Sequence, residues 1–304
     1  MGNMEQTTEV IGAETPASES LSSENAAEIS TVQVETLTFS LNVDVLKQFL
    51  NEMSALVDEA KIVFSVTDGL RAKVVDPAHI AMVETGIALE MLETFDWMPK
   101  AVTVQEDGYV AEIGIDVDKM TGYLKSLRLK DTVLRFSVDF ARRQMTVDGP
   151  TGQRVMSLID TTGMSDPKIP TLNLPTELEI RDPKAFRGQI RQAETISDHI
   201  AIRYDSAQNA LYLECEGDMD KMTSQVDSET VQQLEHSRQR ISATGETEKY
   251  MTADSRSIFP LEYLANFARA IPGAFRLTIG DDYPMKIQYG RTVYLLAPRI
   301  ESGD

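Results

Sequence analysis

Apolar positions recur along the chain with two periods. In NVDVLKQFLNEMSALVDEAKIVF, Val45, Leu46, Phe49, Leu50, Met53 and Leu56 mark one face of a predicted helix, and AKIVFSV reads as the strand after it. In DPKAFRGQIRQAETISDHIAI, Phe186, Ile190 and Ala193 share one face, while Lys184, Arg187 and Arg191 fall on the opposite one. DVDKMTGYLKSL turns Met120, Leu124 and Leu127 inward, and PLEYLANFARAI turns Leu261, Leu264, Phe267 and Ile271 inward. Strand-like runs, TVLRFSV and AFRLTIG, follow these two helices. The pattern predicts an α+β chain of short strands and amphipathic helices with basic outer faces.

The chain also resembles itself. MSALVDEAKIVFSVTDGLRAKVVD and AETISDHIAIRYDSAQNALYLECEG share an order of helix end, acidic residue, strand, turn and strand, with Asp58 falling on Asp198, 140 positions later. The helices around Leu124 and Leu264 repeat at nearly the same distance. A period this long points to duplicated domains rather than a solenoid. The expected domains are 34–158 and 177–304, and residues 159–176, with Pro167, Pro170 and Pro175, read as an exposed connecting loop.

Charge changes the picture in one respect. The chain of 304 residues carries a formal net charge of −19, an unpromising balance for a protein that binds phosphate through Lys and Arg. Residues 1–33 hold Glu5, Glu9, Glu14, Glu19, Glu24 and Glu28 without a Lys or Arg, which by composition is a disordered acidic tail. The folded remainder is still acidic, so the basic helix faces stand out against it. Length suffices for two packed cores. The single cysteine, Cys215, excludes a disulfide within the chain and cysteine-built metal sites, and points to a reducing compartment. No apolar run reaches the about 18 residues of a membrane span, and no signal peptide is evident, so no membrane association and a cytoplasmic location are expected.

Six segments, SALVDEAKIVF, VDPAHIAMVE, IPTLNLP, ISDHIAI, GDDYPMKIQY and YLLAPRIE, are similar in order and spacing to the DNA polymerase sliding clamps of the proliferating cell nuclear antigen type, archaeal members above all. The resemblance implies a DNA-clamp fold: two similar domains, each of two β-α-β-β-β units, with sheets outside and helices lining the inside of a homotrimeric ring. It implies a processivity factor that encircles duplex DNA. Expected partners are the clamp loader (replication factor C) and the DNA polymerase, flap endonuclease and DNA ligase, which bind through PIP-box peptides.

The basic faces then acquire a partner. Lys47, Lys119, Lys125, Lys184, Arg187, Arg191 and Arg269 are the candidates for contact with the phosphate backbone, with Arg128 and Lys130 placed beyond their helix. Such contact reads no base, which sliding requires. Glu262 shares a stripe with Asn266 and Arg269, and Gln48 and Gly188 stand where many relatives carry a cation, so direct affinity for linear DNA is expected to be weak. By resemblance, Val75, Met82, Ile169, Leu174, Pro284, Leu295, Ala297 and Pro298, with His79 at the edge, line a groove for partner peptides, and a charge at Leu295 or Ile169 is expected to abolish that binding alone. Also by resemblance, the strand near 152–158 pairs with 217–225 of the next subunit. That assigns Arg154, Met156, Asp218, Asp220 and Met222 to the interface, with Arg154 near Asp218 or Asp220.

Catalysis finds little support. His79, His199 and His236 are scattered, there is no GxxxxGKS loop, and the pairs Asp116 and Asp118, Asp218 and Asp220, and Asp281 and Asp282 lie in or beside predicted turns, where Asp bonds locally. No catalytic residue, metal or cofactor is expected. Two other readings carry distinct signatures: a paralogue working in a hetero-oligomer or as a clamp inhibitor, and a metal-dependent nucleic-acid enzyme with magnesium-dependent turnover.

Overall fold

The computed structural model describes residues 33–100, 106–164, 166–172, 174–227, 231–233, 239–241, 247–249 and 254–299. The acidic tail of residues 1–32 and His236 lie outside the described residues.

Alternation of buried and exposed positions builds the strands of the first half: β1 (Thr36–Asn42), β2 (Glu59–Ser65), β3 (Gly69–Val75), β4 (Ala81–Ile87), β5 (Leu92–Met98), β6 (Tyr109–Asp116), β7 (Val133–Asp139), β8 (Gln144–Gly149) and β9 (Gly152–Ser157). The second half holds β10 (Thr176–Ile180), β11 (His199–Asp205), β12 (Ala210–Glu216), β13 (Lys221–Val226), the short β14 (Val231–Gln233), β15 (Gln239–Ile241) and β16 (Thr247–Lys249), then β17 (Ser255–Pro260), β18 (Phe275–Ile279), β19 (Met285–Tyr289) and β20 (Thr292–Leu296).

Among the described residues four α-helices interrupt them where the apolar period changes from 2 to 3.6. Three start on a side-chain cap. Asn42 accepts from the Asp44 amide before α1 (Val43–Ser54), Asp116 from Lys119 before α2 (Val117–Leu127), and Asp182 from Lys184 and Ala185 before α3 (Pro183–Ala193), where Pro183 also presets the first turn. The fourth, α4 (Leu261–Ala270), has Pro260 at its N-cap without a side-chain bond. The faces buried are those the periodicity marks, including Leu46, Phe49, Leu50 and Met53 of α1 and Phe186, Ile190 and Ala193 of α3. Val45, Leu56 and Leu127 are only half-buried.

The internal repeat reappears as duplicated hydrogen bonds. The Val117 amide donates to the Asp58 carbonyl at 2.8 Å, and the Leu261 amide to the Asp198 carbonyl at 2.8 Å. Ile159 donates to Gly114 at 2.9 Å, and Arg299 to Ile258 at 2.7 Å. The sheets repeat as well: β5-β1-β7-β8-β9 matches β14-β10-β18-β19-β20, and β4-β3-β2-β6 matches β13-β12-β11-β17.

One pairing joins the two halves. β20 pairs antiparallel with β4, with Tyr294 opposite Val83 and Leu295 opposite Met82, so two of the four sheets fuse into one of nine strands. The buried side chains accordingly form one contiguous cluster across both halves. At the fused seam a carboxylate of α1 is buried: Glu52, 5% exposed, accepts from Thr85 Oγ1 on β4 at 2.5 Å, from Thr292 Oγ1 on β20 at 2.7 Å and from Gln48 Nε2 at 2.7 Å. Phe267 of α4 packs on Tyr294 of β20, with ring centroids 4.6 Å apart.

Candidate nucleic-acid interface and docking surfaces

The candidate DNA-contacting cations all lie on or at the ends of the four helices, turned away from the core, but they differ in how free they are. Lys47 is half-buried; its Nζ donates to the Leu129 carbonyl at 2.5 Å and lies 3.5 Å from Asp44. Lys119 Nζ is 2.7 Å from the Asp116 carboxylate, which holds its ammonium above the usual lysine range. Arg269 lies 2.5 Å from Asn266 Oδ1 and 4.0 Å from Glu194. Arg187 Nε donates to the Pro183 carbonyl at 3.2 Å and pairs with no carboxylate among the described residues. Lys125, Lys184 and Arg191 are exposed. The side chains available to an external anion without breaking an ion pair therefore centre on α3. Arg128 caps α2 in a left-handed conformation, φ 51°, and Lys130 follows it, so both lie beyond the helix.

Among the described residues several strands end their sheets, and two of these ends are counterparts of the pair joined inside the chain. β9 ends the five-stranded sheet, and β13 ends the four-stranded one. Of the expected interface residues, Arg154 and Met156 lie on β9 and Met222 on β13, while Asp218 and Asp220 lie in the turn before β13. Arg154 is not free in this chain, since its guanidinium sits 4.6 Å from the centre of the Tyr123 ring on α2. Unpaired edges of this kind invite another strand.

Register brings several residues of the expected outer groove together. Val75 lies opposite Met82, and Met82 opposite Leu295, so the three stand side by side on the face away from Tyr294 and the helices. Ala297 and Pro298 extend this row beyond β20, and the Ala297 amide donates to the Ile80 carbonyl at 2.8 Å. The connecting segment crosses nearby: Lys73 on β3 lies 3.9 Å from Asp166, and Lys61 reaches the Met164 carbonyl at 3.5 Å. Val75, Ile169, Pro284, Ala297 and Pro298 are half-buried, and His79 is exposed at φ 58°. Leu174, Met82 and Leu295 are buried, at 4%, 7% and 7% exposure. A charge at Leu295 would thus cost folding free energy as well as binding, which makes Ile169 the cleaner probe.

Sequence reasoning missed one anchor of the turn that borders this groove. Asp76 accepts from the amides of Ala78, Ile80 and Ala81 and from the Tyr263 hydroxyl of α4 at 2.9 Å. Burial pushes its carboxyl up, but the bonds from Ala81, Tyr263, Ala78 and Ile80 outweigh burial and hold it below the ordinary carboxylate value. A carboxyl depressed in the folded state stabilises fully above its unfolded value, about 4, and that contribution is lost as pH falls through the folded value. Asp76→Asn is therefore expected to lower stability at about pH 7, with the gap to the parent protein narrowing towards about pH 3, as measured by urea unfolding at both values. A gap that widens in acid would contradict this assignment.

The remaining acidic pairs serve local structure. Asp116 caps α2, Asp281 accepts from the Arg256 amide at 3.1 Å, and Asp282 occupies a left-handed turn position. Among the described residues no group of three or more His, Cys, Asp or Glu is placed to hold a metal ion, and no helix is long and apolar enough to cross a membrane.

Fused duplicate halves, helices on one side of the sheets and one open edge at each end define the architecture of a DNA clamp. No family model matches the chain. It is 30% identical over 273 residues to a DNA polymerase sliding clamp of Methanocella arvoryzae, covering 86% of this chain and 98% of that one. It is 27% identical over 271 residues to the DNA polymerase sliding clamp of Halobacterium salinarum, covering 86% and 98%. Among solved structures, A. fulgidus PCNA with the C-terminal region of FEN-1 bound superposes with a TM-score of 0.68 at 25% identity, over 88% of this chain and all of that one. PCNA from Thermococcus kodakaraensis, at 17% identity and a TM-score of 0.67, shares the fold. The chain belongs to the DNA polymerase sliding clamp family.

Proposed function

We propose that three copies of this chain close into a ring around duplex DNA and act as a processivity factor for the replicative polymerase, in the cytoplasm at the nucleoid, without chemistry of their own. One observation carries the reading. Within the chain, β20 of the second half pairs with β4 of the first, and the repeat leaves β9 and β13, their counterparts, open at the two ends. The joint already made once inside each chain can be made again between chains. A heterologous contact of this kind closes when its rotation divides a full turn.

In such a ring the helix faces meet the duplex. Lys125, Lys184, Arg187 and Arg191 supply phosphate contacts that fix no register, while Lys47 and Arg269, tied to Asp44 and Glu194, contribute less. The acidic exterior repels DNA elsewhere, and topology rather than contact energy retains it. Replication factor C opens and loads the ring; polymerase, flap endonuclease and ligase dock PIP-box peptides on the outer face around Val75, Ile169, Pro284, Ala297 and Pro298.

Sedimentation mass combined with processivity assays, with and without loader, tests the reading: a trimer that lengthens products only when loaded is expected. A chain that stays single at every concentration overturns it; if it assembles only with a sister subunit, the hetero-oligomeric reading replaces the homotrimer. For the groove, Ile169→Glu is expected to weaken PIP-box peptide binding by about 2 kcal/mol, measured by calorimetry, with the oligomer unchanged. Unaltered affinity would remove Ile169 from the peptide site.

A further inference from the structure

We propose that Met219 is the anchor of the joint between copies, seated in a recess beside β9 of the next copy, and that Lys119 belongs to this joint rather than to the DNA-facing surface. This rests on the ring reading above and specifies how its contact is made.

Met219 is 95% exposed, at the tip of the turn leading into β13. At the edge of the five-stranded sheet, a recess of about 370 Å³ lies against β9, lined by apolar Ile115, Met145, Met156 and Leu158, by the cations Lys119 and Arg154 and by the carboxylates Glu59 and Asp116, the latter 2.7 Å from Lys119. An exposed thioether and an apolar hollow on two sheet edges of one chain are complementary, and the recess offers Arg154, which pairs with no carboxylate among the described residues, and Lys119, which would share its charge between Asp116 and a new partner. Asp218 and Asp220 flank Met219, and neither forms an ion pair among the described residues.

The joint inside the chain shows what fills the corresponding place. The repeat maps β9 onto β20, Lys119 onto Tyr263, and the turn before β13 onto the turn before β4. The Asp76 amide donates to the Ala81 carbonyl at 3.0 Å, and the Gly217 amide to the Asp220 carbonyl at 2.9 Å, which fixes the alignment of the two turns. Ile80 then corresponds to Met219. Ile80 is half-buried against the core, and its carbonyl accepts from Ala297, the counterpart of Ser157. Tyr263 reaches across the same joint to Asp76. At Gly217 a Cβ would lie 2.3 Å from the Ile196 carbonyl, so no carboxylate fits at the counterpart of Asp76; of its two neighbours Glu216 is paired with Lys221 at 2.8 Å, which leaves Asp218. Lys119, placed like Tyr263, therefore faces Asp218 of the next copy.

The strand register follows from the same alignment. Tyr294 opposite Val83 becomes Arg154 opposite Met222, and Leu296 opposite Ala81 becomes Met156 opposite Asp220. Arg154 and Asp220 are then diagonal neighbours on one face, within reach of each other.

Met219→Asp is expected to raise the concentration at which the assembly dissociates by about thirtyfold, measured by sedimentation on the full chain. Folding is expected to be unchanged, since the side chain is solvent-exposed in one copy. Lys119→Glu weakens assembly, and Lys119→Glu combined with Asp218→Lys restores it. In a Cys215→Ser background, Ser157→Cys with Met219→Cys is expected to cross-link chains under oxidation. If the parent chain assembles while Met219→Asp and Lys119→Glu leave dissociation unchanged and the cysteine pair fails to cross-link, the anchor is wrong and the ring reading stands. A parent chain that never assembles sinks the ring reading itself.

Discussion

Reversing the α3 stripe, Lys184→Glu, Arg187→Glu and Arg191→Glu together, is expected to reduce loader-dependent processivity by about tenfold or more while the oligomer remains intact. Among the described residues these three candidate cations, like Lys125 on α2, pair with no carboxylate: Lys184 and Arg191 are exposed, and Arg187 donates to the Pro183 carbonyl. For every phosphate no longer neutralised, the slope of log affinity against log salt should also fall by about 0.9, so the salt dependence of retention on circular DNA measures the effect directly. Apolar packing of α3 through Phe186, Ile190 and Ala193 lies on the other face, so folding should not suffer. Retention and salt slope equal to those of the parent protein would remove α3 from the DNA interface.

Glu52→Ala is expected to lower the unfolding free energy by about 3 kcal/mol, read as a reduced urea midpoint at unchanged slope. One carboxylate accepts from Thr85 on β4, Thr292 on β20 and Gln48 on its own helix, and Gln48 also bonds the last turn of α4 through the Ala270 carbonyl at 2.9 Å. Removing it leaves buried donors unsatisfied at the seam where the two halves share a sheet. Nearby, burial and the Glu52 charge push the Tyr294 phenol up, and among the described residues its hydroxyl has no hydrogen-bond partner. Glu52→Gln keeps the shape and most of the bonds and should lose about 1 kcal/mol. If the alanine variant proves as stable as its parent, the seam is held by apolar packing and strand pairing alone.

Much of this architecture is legible in the residues alone. The helices announce themselves because an apolar face recurring every three to four residues has few other uses, and the polar caps Asn42, Asp116 and Asp182 mark where three of them begin. The match of Asp58 to Asp198 anticipates two equivalent backbone bonds to the starts of α2 and α4. The segments 152–158 and 217–225, expected at the subunit interface by resemblance, contain β9 and β13, each at the end of its sheet. The site is less legible. Leu295 and Met82 read as an open lining and are nearly covered, because an alternating strand does not reveal what crosses its outer face. Lys119 reads like its neighbours on the helix, and charge spacing does not show that its ammonium lies 2.7 Å from Asp116 beside the recess at β9.

By itself, then, the sequence determined the local and the repeated: element type, apolar faces, capping residues, the duplicated halves and the basic stripes, all of which depend on residues a few positions apart or on self-similarity. Only the tertiary structure decided the fusion of β20 with β4, the burial of Glu52 between Thr85 and Thr292, the bond from Tyr263 to Asp76 and the recess beside β9. These join residues as many as 240 positions apart, and no periodicity records which distant strands share an edge.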